Sequence, residues 1–424
     1  MRFCKRCLYP ENHPLNLVFD EEGICSGCRV HEEKDVLDWN ERGEKLRTVL
    51  EQYRCKSGNN YDCIIPVSGA RDSHFIVHTV KNVYGMNPLL VSYNKHYNTD
   101  LAYRNLANLR IKFDCDFMML TVSPEKVKKI TRATMRRFGS MYWHCIAGQT
   151  VYPVQMAVQL KIPLIVWGAH QGVDQVGMYS HLDEVEMSRK YRKEHDLMGY
   201  EAEDLVNVEY DNVRESDVFE FAYPDDKEIE RVGVRGIYLN NYVRWDSKAQ
   251  HEEMIRLYGY ETAPQTRTFD TYNDVDCFNY SDVHDYIKYI KHGYGKVTDH
   301  VAREIRLRRM TREQGAELIK QYTTREPRNL GLFLDWLGVA ENSFNYLINQ
   351  FRNPAIWRRN DDWKWERKID LLPPGEDAAA IDRARLELMP GADPNFVLTP
   401  NGRPGYNDDH YILIGKGHYR KATI

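Results

Sequence analysis

The chain contains Ile64-Ile65-Pro66-Val67-Ser68-Gly69-Ala70-Arg71-Asp72-Ser73-His74, the stretch that indicates its fold most directly. A short apolar run ends at Ser68-Gly69, and Asp72-Ser73 opens a predicted helix. A junction of this kind directs backbone N–H groups and the positive end of a helix dipole at one point. The sequence therefore predicts a loop that binds an anionic phosphate chain. The alternative is an ordinary helix N-cap followed by an acidic first turn.

Apolar runs alternate with amphipathic stretches on both sides of this loop. The predicted strands are 63–67, 88–93, 117–122 and 162–167, and the predicted helices are 73–84, 99–112, 124–138 and 149–160. This alternation predicts an α/β fold with a parallel sheet covered by helices on both faces. Ligands of such sheets bind beyond the carboxyl ends of the strands. We therefore expect the site at the loops 68–73, 93–99, 122–124 and 168–177.

The 424 residues suffice for two or three domains. Residues 178–275 show little periodicity, whereas 282–350 are predicted to be mostly helical, with Thr311 and Gln314 forming a capping box. The predicted domains are 1–32, a zinc ribbon; 33–60, a linker helix; 61–205, a nucleotide-binding domain; 206–350, a mixed and helical region for a substrate or partner; and 351–424, a C-terminal extension.

Composition excludes several classes of function. A net charge of −4 provides no general attraction for nucleic acid. No apolar run approaches the length of a membrane span, and the N-terminus lacks the apolar core of a signal peptide. Nine cysteines are too few for a disulfide scaffold in a chain of this length. We expect a soluble, cytoplasmic protein.

Two cysteine pairs near the N-terminus have the spacing of a metal site. Cys4 and Cys7, then Cys25 and Cys28, each place two thiols across a tight turn. Four thiolates complete a tetrahedral zinc site with no open position, so we predict structural rather than catalytic zinc. The alternative is two pairs of buried or redox-active thiols.

The loop that opened this section resembles the pyrophosphate-binding loop of the ATP pyrophosphatases, usually Ser-Gly-Gly-x-Asp-Ser, with Ala70 in place of the second glycine. The resemblance implies that ATP binds here, with Asp72 ordering the loop or holding Mg²⁺ and with Ser73 donating its hydroxyl group. The residues expected to bind the nucleotide are Ser68, Gly69, Ala70, Arg71, Asp72, Ser73, Asn94 and Gly168.

Motifs over about the first 350 residues extend the resemblance to the N-acetyl sugar amidotransferase family, whose members serve LPS O-antigen and surface-polysaccharide biosynthesis in bacteria. They are Cys4-x-x-Cys7 with Tyr9-Pro10, 20–28, 37–39, 61–69, 87–91, 104–106, Trp143-His144-Cys145, Pro153-x-Gln155-x-Ala157, 162–168, 292–300, 304–306 and 310–313.

This resemblance implies a reaction. ATP adenylates the amide oxygen of a nucleotide-linked N-acetyl sugar, and ammonia from a glutaminase partner with a cyclase-like subunit displaces AMP to leave an acetamidino group. The residues implied to be catalytic are Asp72, Ser73, His144 and Cys145, although a structural role for His144 and Cys145 is an equal alternative. The expected substrate-binding residues are Lys291, Asp299, His300 and Arg306, with an ion-paired helix face as the alternative.

Three departures from the family pattern fall at the expected site: Ala70 for glycine, Ala169 where the family has glutamate, and Ile146 after Cys145. A Cβ at position 70 would strain the loop if the backbone there required a positive φ. The departures suggest a divergent member with a shifted substrate or weakened catalysis. The alternatives are a non-catalytic protein that binds sugar nucleotides or partner subunits and a tRNA-thiolating enzyme, which the net charge and the lone Cys145 disfavour.

Overall fold

The computed structural model describes residues 2–15, 17–208 and 211–368. A five-stranded parallel sheet lies at its centre, in the order β3-β2-β1-β4-β5. The strands are β1 Cys63–Pro66, β2 Pro88–Tyr93, β3 Phe117–Leu120, β4 Leu164–Trp167 and β5 Arg235–Tyr238. The predicted α/β class is confirmed, and the four predicted strands are all present.

Helices cover the sheet, and further helices follow its last strand in the sequence. They are α1 Ser26–Glu32, α2 Trp39–Tyr53, α3 Arg71–Val77, α4 Asp100–Phe113, α5 Pro124–Phe138, α6 Trp143–Leu160, α7 Gln171–Asp174, α8 Arg189–Tyr191, α9 Glu215–Val218, α10 Asp226–Val232, α11 Ser247–Tyr258, α12 Asp285–His292, α13 Lys296–Arg306, α14 Arg312–Thr323, α15 Leu330–Leu337 and α16 Glu341–Asn349. A short hairpin, β6 Trp357–Arg359 and β7 Trp365–Arg367, follows them.

The central strands are apolar on both faces because helices cover both faces. Successive side chains of β1 alternate between the two layers. Cys63 and Ile65 belong to the core shared with α2, α3, α4 and α11, whereas Ile64 belongs to the core shared with α6 and α10. All three side chains are fully buried.

Two parts of the sheet domain lie outside the range predicted for it, 61–205. Strand β5 was not predicted, since Arg235–Tyr238 is too short for a periodic signal and includes Gly236; its pairing with β4 defines it. Helix α2, predicted as a linker, places Leu46 and Leu50 in the sheet core. Helix α6 also begins earlier than predicted, at Trp143 rather than at 149.

The C-terminal region is helical from α12 to α16, as predicted. The capping box before α14 is confirmed: the N–H of Gln314 donates to Oγ1 of Thr311 at 3.2 Å, and the N–H of Thr311 donates to Oε1 of Gln314 at 3.0 Å. The predicted extension 351–424 lies outside the described residues beyond 368. Within the described part of the chain, no helix combines the length and the apolar character needed to cross a bilayer.

The N-terminal cysteine segment packs against the sheet domain and the helical region. Its buried side chains share a core with Val173, Val176 and Met178 after β4 and with Ala302 of α13. Packing of this kind brings together the N-terminal segment, the loop after β4 and helix α13, which are distant in the chain.

Candidate functional site

A cavity of about 730 Å³ lies beyond the carboxyl ends of β1 and β4. Its wall is built from the cysteine segment, the loops that follow these two strands, and helices α12 and α13. A cavity of this size suits a substrate the size of a nucleotide or larger. The predicted site residues on its wall are Arg71, Asp72, Lys291, Asp299, His300 and Arg306.

The loop between β1 and α3 is held by its own hydrogen bonds. The N–H of Ser68 donates to Oγ of Ser73 at 3.0 Å, and the N–H of Ala70 donates to Oγ of Ser68 at 3.3 Å. The positive φ of this loop belongs to Gly69, at +80°. Ala70 has φ −80° and caps α3 in an extended conformation. Ala70 therefore does not strain the loop, because the backbone at position 70 does not require a positive φ.

Single substitutions at Gly69 and Ala70 test which of the two positions requires glycine. Gly69→Ala is expected to lower the free energy of unfolding by at least about 1–2 kcal/mol because of the positive φ. An added Cβ would also lie 3.1 Å from the carbonyl oxygen of Ala102. Ala70→Gly is expected to change the free energy of unfolding by less than about 1 kcal/mol, because the flexibility of glycine lowers stability while its suitability at an N-cap raises it. Urea unfolding of both variants measures the difference; equal losses would contradict the assignment.

Arg71 and Asp72 are the two residues of this loop that face the cavity. Nε of Arg71 lies 3.2 Å from a carboxylate oxygen of Asp72, and its Nη2 donates to Oγ of Ser247 at 3.1 Å. Burial raises the pKa of Asp72, and the Arg71 guanidinium partly opposes that rise. A carboxylate at this position suits Mg²⁺, which prefers oxygen ligands.

The remaining predicted nucleotide-binding residues do not line the cavity. Oδ1 of Asn94 accepts hydrogen bonds from the N–H of His96 and from the side chain of Asn98, both at 3.0 Å. A Cβ on Gly168 would lie 3.1 Å from Ile76, so this glycine permits close packing behind the wall. The predicted residues that do not line the cavity are Ser68, Gly69, Ala70, Ser73, Asn94 and Gly168.

His144 and Cys145 are buried inside α6, although their neighbours Trp143 and Ile146 line the cavity. Nδ1 of His144 lies 3.0 Å from the hydroxyl oxygen of Tyr93, and Sγ of Cys145 lies 3.4 Å from Nε2 of His144. Burial lowers the pKa of His144 to about 3 and raises that of Cys145. This environment favours the structural alternative, and their catalytic role stays a prediction.

Two of the three departures from the family pattern, Ile146 and Ala169, line the cavity. Ala169 contributes apolar surface where the family pattern places a carboxylate after Gly168, and Ile146 adds a second apolar side chain. The departures therefore bear on what the cavity accepts more than on the stability of the loop.

Helices α12 and α13 contribute a polar cluster to the wall. Nζ of Lys288 donates to Asp299 at 2.5 Å, and the hydroxyl of Tyr9 donates to the same carboxylate at 2.9 Å. Nδ1 of His300 lies 2.7 Å from Oγ1 of Thr268. Burial lowers the pKa of His300 to about 3, so this imidazole is neutral at physiological pH.

Lys291 differs from the other cations of this cluster. Its Nζ donates to the backbone carbonyl of Phe138 at 2.9 Å, and no carboxylate of the described chain lies within ion-pair distance. Burial lowers its pKa to about 8. A cation on a cavity wall without a counter-charge suits an anionic ligand.

The four cysteines form one buried cluster, with all sulfurs within 4.8 Å of one another. The sulfurs of Cys4 and Cys28 are 3.9 Å apart, and those of Cys7 and Cys25 are 3.5 Å apart. Tetrahedral zinc with bonds of 2.3 Å requires about 3.8 Å. The N–H groups of Cys7 and Cys25 donate to Sγ of Cys4 at 3.4 and 3.3 Å. The residues present therefore fit a structural zinc ion.

Arg306 is directed at this cluster. Its Nη2 lies 3.6 Å from Sγ of Cys7 and 3.5 Å from Sγ of Cys25, and its Nη1 donates to the carbonyl of Gln175 at 2.6 Å. Two of its three nitrogens are thus committed to protein partners. The contacts favour a structural role over the predicted binding of substrate by Arg306.

Several wall residues were not identified from the sequence, because they come from segments distant in the chain. Lys34 donates to Asp174 at 2.5 Å and to the carbonyl of Trp245 at 3.0 Å, which joins three such segments. A usable signal existed for Lys288, which lies one helical turn before Lys291. Other residues of this kind are His13, Asp274 and His284, whereas His292 and Tyr294 lie in the 292–300 motif but were not assigned to the site.

Part of the chain matches a family model. Residues 266–370 match the family described as LPS biosynthesis protein WbpG-like, C-terminal domain. This segment contains α12 and α13 and covers about a quarter of the chain.

Two individual proteins match parts of the chain. An uncharacterized protein of Methanocaldococcus jannaschii is 26% identical over 120 residues, which are 28% of this chain and 42% of that protein. The chain thus spans less than half the length of this curated relative. An NMN synthetase from Francisella tularensis is 11% identical, with coverage of 54% of this chain and 98% of that one. Its TM-score is 0.25, which is too low to bear on fold or function.

Proposed function

We propose that this protein is an ATP-dependent amidotransferase that converts the acetamido group of a nucleotide-linked sugar to an acetamidino group in LPS biosynthesis. ATP with Mg²⁺ is the activating substrate, and a partner glutaminase with a cyclase-like subunit supplies ammonia. The WbpG-like match supports the pathway. The loop at the carboxyl end of β1 supports the use of ATP.

One observation carries the proposal: the predicted phosphate-binding loop after β1 and the WbpG-like segment 266–370 line the same cavity. Arg71 and Asp72 contribute from the loop, and Lys288, Lys291 and Asp299 contribute from the segment. An enzyme that adenylates a sugar must bring two anionic substrates together, and the cavity offers separate cationic groups for them.

The reaction balances as two displacements. The amide oxygen attacks the α-phosphorus of ATP and pyrophosphate leaves. Ammonia then forms a bond to the carbon of the adenylated amide. The C–O bond of that carbon breaks, AMP leaves, and the attacking nitrogen loses a proton. In this scheme Asp72 would hold Mg²⁺, which would offset negative charge on the phosphates. Arg71 stabilises phosphate charge, and Lys291 holds an anionic group of the sugar nucleotide.

Incubation of the purified protein with UDP-N-acetyl sugars, ATP, Mg²⁺ and ammonium tests the proposal. We expect AMP and pyrophosphate in equal amounts and a sugar product one mass unit lighter. That product carries a new positive charge because an amidine is far more basic than an amide. Omission of ammonium should suppress the product. Binding of ATP and sugar nucleotide without AMP formation would instead support the non-catalytic alternative.

A further inference from the structure

The metal centre is interlocked with the wall of the cavity. A Cβ on Gly27 would lie 2.4 Å from Nη2 of Arg306 and 2.5 Å from the carbonyl oxygen of Gln175. A Cβ on Gly177 would lie 2.3 Å from the carbonyl oxygen of Ser26. The second cysteine turn, the 174–178 loop and Arg306 therefore contact one another with no space for an added methyl group.

Arg306 is a cation that balances part of the charge of this centre. Four thiolates around Zn²⁺ leave two net negative charges, and burial of such charge is costly without a partner. The guanidinium of Arg306 is buried within 3.6 Å of two of the sulfurs. Arg6 also contributes positive charge near Cys28, but its guanidinium is shared with Glu32, which lies 2.6 Å away.

The same arginine fixes the cavity wall. Its Nη1 holds the carbonyl of Gln175 at 2.6 Å, and Nε2 of Gln175 donates to the hydroxyl oxygen of Tyr9 at 2.8 Å. Tyr9 in turn donates to Asp299, which accepts from Lys288. All five residues line the cavity. A continuous set of hydrogen bonds thus leads from the thiolates to a lysine of the cavity.

We propose that Arg306 is a positioning residue that couples the metal centre to the cavity. On one side it compensates the thiolate charge, and on the other it holds the 174–178 loop against the wall. Loss of the metal therefore releases this loop, and loss of Arg306 weakens both the metal centre and the loop. The coupling does not depend on which reaction the cavity supports.

Two measurements on Arg306→Gln, neither of which requires activity, test the coupling. The first is the rate at which zinc passes from the protein to a chelating dye, which we expect to rise about tenfold, as for other outer-shell partners of metal ligands. The second is amide hydrogen exchange, which should become faster over 174–178 but not in β1. Arg306→Lys keeps the charge but loses the fork, so its zinc transfer should stay near wild type while the loop still exchanges faster.

Arg308→Gln is the matched control, because Arg308 is exposed and its ion pair with Asp35 is 3.6 Å long. It should leave both measurements unchanged. A variant of Arg306 that speeds zinc transfer but leaves hydrogen exchange of the 174–178 loop at the wild-type rate would overturn the coupling. Faster exchange of this loop with unchanged zinc transfer in Arg306→Gln would overturn it as well. If Arg306→Gln fails to fold, Arg306→Lys decides, together with exchange in wild-type protein stripped of zinc. There, an unchanged 174–178 loop would overturn the proposal.

Discussion

Asp72→Asn is expected to lower the rate of ATP-dependent AMP release at least about 100-fold. A carboxylate that holds Mg²⁺ on a reacting phosphate contributes several kcal/mol to stabilisation of the transition state, and each 1.36 kcal/mol corresponds to a factor of ten in rate. Asparagine keeps the shape of the side chain but removes its charge. The loss should therefore appear in kcat, measured as AMP formed at saturating ATP and sugar nucleotide.

The fold should tolerate this change. The Asp72 side chain is 35% exposed, and its partial burial raises the pKa of the carboxyl group, so a neutral amide removes part of a desolvation cost. The lost ion pair with Arg71, at 3.2 Å, offsets part of this gain. A thermal unfolding curve close to that of wild type is the expected control result.

Asp100→Asn provides a matched control. Asp100 lies in the first turn of α4, after β2, as Asp72 lies in the first turn of α3, after β1. Its side chain is exposed and lies away from the cavity wall. AMP release by this variant should equal that of wild type. Equal activity of the Asp72 and Asp100 variants would show that the carboxylate of Asp72 has no role in the reaction.

The sequence predicts the sheet well where strands are buried runs of branched residues. Strands β1, β2 and β4 are of this kind, and their bounds differ from the predicted ones by at most two residues. Strand β5 could not be predicted, because Arg235 and Gly236 make half of it unlike a buried strand. Its position depends on hydrogen bonds to β4, which local sequence does not encode.

The site was predictable where a motif names its own chemistry. The four cysteines converge as their spacing predicts, and Arg71 and Asp72 reach the cavity from a recognisable loop. The spacing does not reveal that Arg306 lies against the sulfurs, since Cys7 and Arg306 are separated by most of the chain. Lys34 and Asp174 form a similar long-range pair. Such contacts arise from packing between segments.

Lys291 is expected to control the affinity of the sugar nucleotide. Its ammonium group donates to the carbonyl of Phe138 and has no carboxylate partner in the described part of the chain. A hydrogen bond to a charged group contributes about 1.5–3 kcal/mol. Lys291→Met should therefore raise the Kd for a UDP-N-acetyl sugar about 10- to 100-fold while the Kd for ATP changes little. Lys320→Met, an exposed lysine of α14, is the control and should alter neither value.

The pH dependence of binding gives the sharper test, because burial lowers the pKa of Lys291 to about 8. The ammonium form binds the anion, so affinity is full below pH 7 and falls as the amine loses its proton above pH 8, by up to tenfold per pH unit. His284 and His292 on the same wall have pKa values lowered by burial to about 3, so they stay neutral throughout this range. Lys291→Arg keeps its charge and should bind without this fall. Calorimetric titration between pH 7 and pH 9 measures the effect, and a wild-type curve as flat as that of Lys291→Arg would refute the role of Lys291.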